Sequence, residues 1–394
     1  MLNAERGSLS RFGISAAALG ASVGLATLVG IVGGPDRSTA APAPLVQVTA
    51  KELRLSQPLA AMDAEGKGVA FAFCNQLLGV WRPGAAGVTR LGPANQWTCP
   101  PPRGLERTYS LAFAGDRVAW IAEAGGNQVT NLLFLTVLGQ PSVITIAATT
   151  AYCCRSLDPD RERMGDVVGE GRFIAFASRV KCGDNGAPGC PTSTRTLISQ
   201  TVWQLRRPPF QAQCVNMPGP CLQLATANDP LRALSVDGDR VVLRRANGAL
   251  EVRKPSGALV RQFPGLAGLS RGAELMGNNR LVVLVPGKVR EYRIPNGALV
   301  QTRPVPNVAS GGVCGMPPCP TIKLQLLDAK RGLVAYILNG KLHLLRLRDG
   351  VNKVVATATD ARFGANGLYY AYTAAAPWVS RIRFVRWASL PVGP

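Results

Sequence analysis

The residues that could do chemistry are few, and the first group is a serine, an aspartate and a histidine. Gly268-Leu269-Ser270-Arg271-Gly272 matches the G-x-S-x-G pattern around the nucleophile of α/β-hydrolases, and Asp328 and His343 follow in the order of those enzymes. That pattern needs a strand before the serine and a helix after it. Ser270 instead lies in a linker with no helical periodicity after it, and His343, the only histidine, lies in a strand pattern. We therefore expect no hydrolase triad.

Metal and phosphate motifs give no stronger signal. The chain has no C-x2-C pair, no G-x-x-x-x-G-K-[ST] loop and only one histidine, so we expect no metal and no cofactor. A run of carboxylates could supply the oxygen ligands of Ca²⁺, but Arg161 and Arg163 interleave it and favour a solvated, self-neutralising charge run. Its members are Asp158, Asp160, Glu162 and Asp166. Carboxylate pairs for glycosidase-like chemistry remain an alternative.

Basic residues are the most prominent candidates for binding. The chain has 44 Lys and Arg against 23 Asp and Glu, a formal net charge of +21, and such a charge attracts polyanions. A basic face could take an anionic glycan, a surface polymer, a lipid headgroup or a protein, whereas nucleic acid is not expected for an exported chain. The alternative is an ordinary solvated outer surface. The candidates are Arg244, Arg245, Arg253, Lys254, Arg346, Arg348, Arg381 and Arg383.

Ten cysteines predict disulfides and export to an oxidising compartment. Three pairs each flank a short loop rich in Gly or Pro and are expected to bridge locally: Cys182 with Cys190, Cys214 with Cys221, and Cys314 with Cys319. Cys74 and Cys99 would close a longer loop. Cys153 and Cys154 are adjacent, and they could bond to each other or reach separately into the Cys182–Cys190 loop.

The N-terminal 40 residues predict a targeting segment. Arg6 and Arg11 precede a charge-free apolar run, residues 14–32, which we expect to form a hydrophobic helix. Small residues at Ser38-Thr39-Ala40 suit a cleavage site, but the run approaches membrane-spanning length. A cleaved signal peptide and an uncleaved membrane anchor therefore both remain open. Either places the body, residues 45–390, outside the cytoplasm, secreted or anchored.

The elements that must position these residues recur along the chain. Seven times a turn built on Gly, Asp or Asn precedes an apolar run, a second turn and another alternating run. A unit this short cannot bury its own apolar face, so it must pack against its neighbours. Within the units, Asn247-Gly248 is expected to form a two-residue hairpin turn, and Asn339-Gly340 is expected to join two strands. The spacing predicts an all-β, seven-bladed β-propeller of four-stranded antiparallel blades.

The last unit shows only three clear strands, and Leu45 to Thr49 form a strand without a unit. We expect this N-terminal strand to join the last unit as its outer strand and so close the ring, which would remove open sheet edges.

With its Asp/Asn-Gly turn, Arg-Val-Val/Ala strand and following Gly-containing turn, the unit resembles the bacterial extracytoplasmic WD40-like, or TolB-like, β-propellers. The resemblance covers about residues 45–390, without the Trp-Asp and Gly-His signatures of true WD40 repeats. Taken together, these features predict an exported, non-enzymatic scaffold that binds a protein or an anionic surface polymer. The alternative is a propeller lyase or hydrolase with carboxylates in its central channel.

Overall fold

A computed structural model describes the chain in segments, and every structural statement below concerns these residues. They are 45–74, 77–92, 99, 107–125, 128–140, 142–152, 166–181, 198–205, 221–227, 231–277, 279–306 and 324–394. The predicted N-terminal helix lies outside them. No described helix is long and apolar enough to cross a membrane. Within the described residues, only two short 3-10 turns, Pro264–Leu266 and Trp387–Ser389, interrupt an otherwise all-β architecture.

The first two strands, β1 (Val46–Val48) and β2 (Glu52–Leu55), belong to a sheet completed by the end of the chain. Six four-stranded antiparallel blades follow in sequence order. Blade 1 contains β3 (Leu59–Glu65), β4 (Gly68–Phe73), β5 (Leu77–Trp81) and β6 (Val88–Leu91). Blade 2 contains β7 (Arg107–Ala114), β8 (Arg117–Gly125), β9 (Gln128–Val137) and β10 (Val143–Tyr152). Blade 3 contains β11 (Val167–Glu170), β12 (Phe173–Lys181), β13 (Ile198–Leu205) and β14 (Cys221–Ala227).

The next three blades repeat this plan. Blade 4 contains β15 (Leu231–Asp237), β16 (Arg240–Arg245), β17 (Leu250–Arg253) and β18 (Leu259–Phe263). Blade 5 contains β19 (Gly272–Leu275), β20 (Arg280–Val285), β21 (Lys288–Arg293) and β22 (Leu299–Pro304). Blade 6 contains β23 (Leu324–Lys330), β24 (Leu333–Leu338), β25 (Lys341–Arg346) and β26 (Asn352–Thr357).

The closing sheet joins both ends of the described chain. It adds β27 (Asp360–Gly364), β28 (Gly367–Thr373) and β29 (Ser380–Arg386), in the order β1-β2-β29-β28-β27. The prediction of seven four-stranded blades therefore needs correction, because six sheets have four strands and this one has five. The extra strand arises because the N-terminal segment folds back on itself as a hairpin before it reaches β29.

The segment that reaches β29 also differs from the prediction. β1, which covers the predicted strand, pairs only with β2, and β2 pairs with β29 through Leu53 opposite Ile382. Leu53 and Leu55 are fully buried, whereas β1 is only partly covered. The apolar face of β2 gains more from burial in the closing sheet, so β2 takes the inner place and β1 the edge.

The seven innermost strands stand side by side in a closed circle. Their order is β3, β7, β11, β15, β19, β23 and β27, and β27 returns to β3. They run in one direction, because the turns that follow them lie side by side. For example, the Ala365 amide in the turn after β27 donates to the Gly66 carbonyl in the turn after β3 at 2.6 Å. The apolar core lies between the sheets, for example where Trp81 of blade 1 packs edge-on against Tyr369 of the closing sheet.

Candidate functional site in the central channel

A cavity of about 500 Å³ lies along the axis and is lined by all seven innermost strands. Since side chains alternate between the two faces of a strand, residues two apart point into the channel at successive levels. The turn level, where these strands end, holds Glu65, Glu170, Asp237 and Lys330. The middle level holds Asp63, Ser235, Glu274, Asp328 and Arg362.

The middle level joins neighbouring sheets through one recurring hydrogen bond. The Phe113 amide of blade 2 donates to Asp63 Oδ2 of blade 1 at 2.8 Å. The Phe363 amide of the closing sheet donates to Asp328 Oδ2 of blade 6 at 2.6 Å. In blade 4 a serine plays this part, since Ser235 Oγ accepts the Leu275 amide of blade 5 at 3.2 Å. These polar side chains therefore hold the ring together.

Carboxylates outnumber cations at this level. Arg362 lies 2.9 Å from Asp360 Oδ1 and 3.8 Å from Asp63 Oδ1. Burial raises the pKa of Asp63 to about 7, although Arg362 and the Phe113 amide lower it. Burial and the nearby Asp328 raise the pKa of Glu274 well above its ordinary value. A buried carboxyl group without a full counter-charge keeps its proton to a higher pH than a solvated one does.

An ion pair crosses the channel at the turn level. Lys330 Nζ of blade 6 lies 2.7 Å from Glu170 Oε1 of blade 3, and these blades stand opposite each other in the ring. Glu65 accepts hydrogen bonds from the backbone of Gly115 and Gly171, the turns of blades 2 and 3. The Lys330–Glu170 pair therefore spans the channel at this end.

The other end carries three arginines, Arg232, Arg244 and Arg271, which we call the arginine mouth, beside two aspartates, Asp166 and Asp360. A β-bulge between Ala233 and Ser235 shifts the alternation of β15 and places Arg232 toward the channel. Arg232 stands directly opposite Arg244 on the neighbouring strand and donates through Nε to Asp166 Oδ2 at 3.0 Å. Burial and the charge of Arg232 lower the pKa of Arg244. Asp166 also attracts Arg244 electrostatically, although no described carboxylate forms a salt bridge with Arg244 or Arg271.

Of the eight basic residues selected from the sequence, only Arg244 lines the channel. Arg245 and Arg253 both pair with Glu251, which is 1% exposed. A lone buried carboxylate is costly, so these two arginines are needed inside their blade. Their outer-surface role as ligand-binding groups remains a prediction.

The remaining candidates are scattered over other blades. Arg346 lies 2.6 Å from Asp349 and Arg348 lies 3.9 Å from it. Arg381 lies 3.5 Å from Glu52 in the closing sheet. A hydrogen bond with Tyr370 raises the pKa of Arg383, which is exposed, as is Lys254. The structure therefore does not gather the eight into one described constellation.

The serine, aspartate and histidine of the hydrolase-like pattern do not form a triad. Ser270 follows a 3-10 turn and precedes β19, with no helix after it. Asp328 accepts backbone amides in the channel, and His343 stacks on Tyr336 with ring centroids 4.9 Å apart. Asp166, from the carboxylate run, pairs with Arg232, and the other three members lie outside the described residues. The described part of the chain holds no group of His, Cys, Asp and Glu that could bind a metal.

One predicted disulfide is present, between Cys74 and Cys99. Cys221 begins β14, and the other seven cysteines lie outside the described residues, so the remaining pairings stay predictions.

Sequence reasoning missed most of the channel residues. Their signal is a polar residue two positions before the end of the innermost strand, within an otherwise apolar run. It is visible at Asp63, Ser235 and Asp328.

Comparison with known proteins identifies no family: no family model matches the chain, and no curated protein matches it. Solved structures do resemble it. The computationally designed Ika8 protein aligns with a TM-score of 0.47 at 12% identity, over 84% of this chain and 98% of Ika8. YCF48 bound to D1 peptide gives 0.47 at 12%, over 87% and 99%. BamB from Moraxella catarrhalis gives 0.45 at 10%, over 86% and 100%. The propeller architecture of this chain rests on its own sheet topology.

Proposed function

We propose that this chain is an exported, non-enzymatic binding scaffold that holds anionic groups of a protein or surface polymer at its arginine mouth. The observation that carries this proposal is the direct cross-strand apposition of Arg232 and Arg244 at the open end of the channel. Like charges directly opposite on neighbouring strands destabilise a sheet. Asp166 compensates part of that repulsion through its pairing with Arg232, and an anion bound between the two arginines relieves the rest.

The chemistry of the mouth supports a carboxylate or phosphate ligand. Arginine presents a planar fork of donors that matches both groups. Asp166 already accepts such a hydrogen bond from Arg232, while Arg271 is exposed beside the opening. Side chains held on strands of a rigid ring lose little conformational entropy on binding.

Export also belongs to the proposal. The Cys74–Cys99 disulfide favours an oxidising compartment, in agreement with the apolar run at residues 14–32. The likeness to TolB-like propellers, and the choice between secretion and membrane anchoring, remain predictions. N-terminal sequencing of the mature protein distinguishes the last two.

A matched pair of variants tests the anion site. Arg271→Glu in the mouth and Arg293→Glu at the end of β21 make the same change in net charge at two exposed arginines. Titration calorimetry with sodium polyphosphate should show affinity about tenfold lower or more for Arg271→Glu and nearly unchanged for Arg293→Glu. Equal losses would mean that the total charge, not the mouth, attracts the anion, and the proposal would fail.

An acid–base enzyme is the second candidate, and the carboxylates around the axis favour it. Burial raises the pKa of both Glu274 and Asp328, and the two carboxyl groups interact with each other, as the carboxyl pairs of acid–base catalysts do. Asp63 and Asp328 each accept hydrogen bonds from two backbone amides. Hydrolysis of nitrophenyl glycosides that disappears in Glu274→Gln would favour the enzyme; absence of turnover in both proteins leaves the scaffold as the supported function.

A further inference from the structure

We infer that the channel is a one-ended pocket, and that its partner is a protein that inserts an acidic segment through the arginine mouth. This inference rests on the proposed function and adds two things to it: the face that is used and the class of partner.

At the turn end, charged side chains lie across the channel, and they cannot all move aside without breaking an ion pair. Lys330 and Glu170 are about one-third and one-quarter exposed and form a 2.7 Å ion pair across the axis. At the same end of the channel, the backbone amides of Gly115 and Gly171 donate hydrogen bonds to Glu65. To open this end, Lys330 would have to leave Glu170 beside Asp237 without a cation. A ligand therefore enters the channel more easily through the arginine mouth.

The size of the pocket limits what enters. A cavity of about 500 Å³ lies within the range of roughly 300–1,000 Å³ that holds one small ligand or a few residues of a peptide. A long polyanion binds best along an extended basic track, which contacts many of its charges. Three arginines around one concave opening instead suit one or two carboxylates at a time.

The change from hydrogen-bond donors to acceptors along the channel favours a peptide. Below the arginines, the wall is formed by Asp63, Glu274 and Asp328, whose carboxyl oxygens accept hydrogen bonds, and by Arg362, which already pairs with Asp360. A peptide meets both requirements, because a Glu or Asp side chain pairs with arginine while its backbone N–H groups can donate to the wall. Polyphosphate carries only hydrogen-bond acceptors, so it can pair with the arginines of the mouth but cannot donate to the carboxyl groups below them.

The test uses the full chain with two probes, a fluorescein-labelled hexaglutamate peptide and sodium polyphosphate. The matched variants reverse an exposed arginine at opposite ends of the channel: Arg271→Glu at the mouth and Arg172→Glu at the turn after β11. We expect hexaglutamate to bind the wild type more tightly than polyphosphate of equal charge. We expect about tenfold weaker hexaglutamate binding in Arg271→Glu and little change in Arg172→Glu.

The outcomes separate the two proposals. If Arg172→Glu loses binding and Arg271→Glu does not, the face is wrong and the inference is overturned. If polyphosphate binds at the mouth and hexaglutamate does not, the peptide is wrong while the anion site stands. If neither probe responds to Arg271→Glu, both proposals fail. Circular dichroism and thermal unfolding of each variant verify that a loss of binding is not a loss of folding.

Discussion

Asp63 offers the sharpest test of how the ring is held, because its carboxyl group joins blades 1 and 2 and has a pKa near neutral pH. Burial raises its pKa to about 7, against an unfolded value of about 3.9. The unfolded chain therefore releases this proton at a lower pH than the folded protein does. The stabilising contribution is fully present below about pH 4 and is lost as the pH rises through 7.

The size of the effect follows from the shift. About three pKa units at about 1.4 kcal/mol per unit give roughly 4 kcal/mol of stability lost between pH 4 and 7. Asp63→Ser removes the titration and keeps the link between blades, because Ser235 already accepts a neighbouring amide at the equivalent position of blade 4. Arg362 retains Asp360 at 2.9 Å in this variant.

Urea unfolding followed by tryptophan fluorescence at pH 5 and pH 8 measures the difference. We expect the wild type to lose stability between these values, with Asp63→Ser losing less and matching or exceeding the wild type at pH 8. Asp349→Ser is the control, since hydrogen bonding to Arg346 lowers the pKa of Asp349 to about 2 and it does not titrate in this window. An unchanged slope in Asp63→Ser would refute the reasoning.

Three further substitutions test other parts of the ring. Glu52→Ala should cost about 2 kcal/mol in urea unfolding, because it removes a charge-assisted hydrogen bond from Tyr372 at 2.8 Å in the closing sheet; an unchanged midpoint would contradict this. Phe71→Ala should cost about 3–5 kcal/mol by the same assay, as this ring is fully buried between blade 1 and the closing sheet. Gly367→Ala should abolish soluble, β-rich protein in circular dichroism, since its Cβ would lie 2.1 Å from the Val385 carbonyl oxygen.

Local sequence signals predicted individual strands well and turn geometry unevenly. At Asn339-Gly340 both residues have positive φ, as a tight hairpin turn requires. At Asn247-Gly248 only the glycine does, and β16 and β17 are separated by four residues, so the predicted two-residue turn is wrong there. The dipeptide permits the turn, but the pairing of the flanking strands decides the length of the connection.

By itself, the sequence determined that the chain forms short antiparallel strands in repeated units, because alternation and turn residues act over a few positions. Only the tertiary structure decided what the charged residues do. Lys330 and Glu170 are 160 residues apart, and they meet because the ring places their blades on opposite sides of one axis. In the same way Arg381 reaches Glu52, while Arg244 is set opposite Arg232 in the channel. A charged side chain takes its partner from whatever the closed ring brings within reach, and that information is not contained in its local sequence.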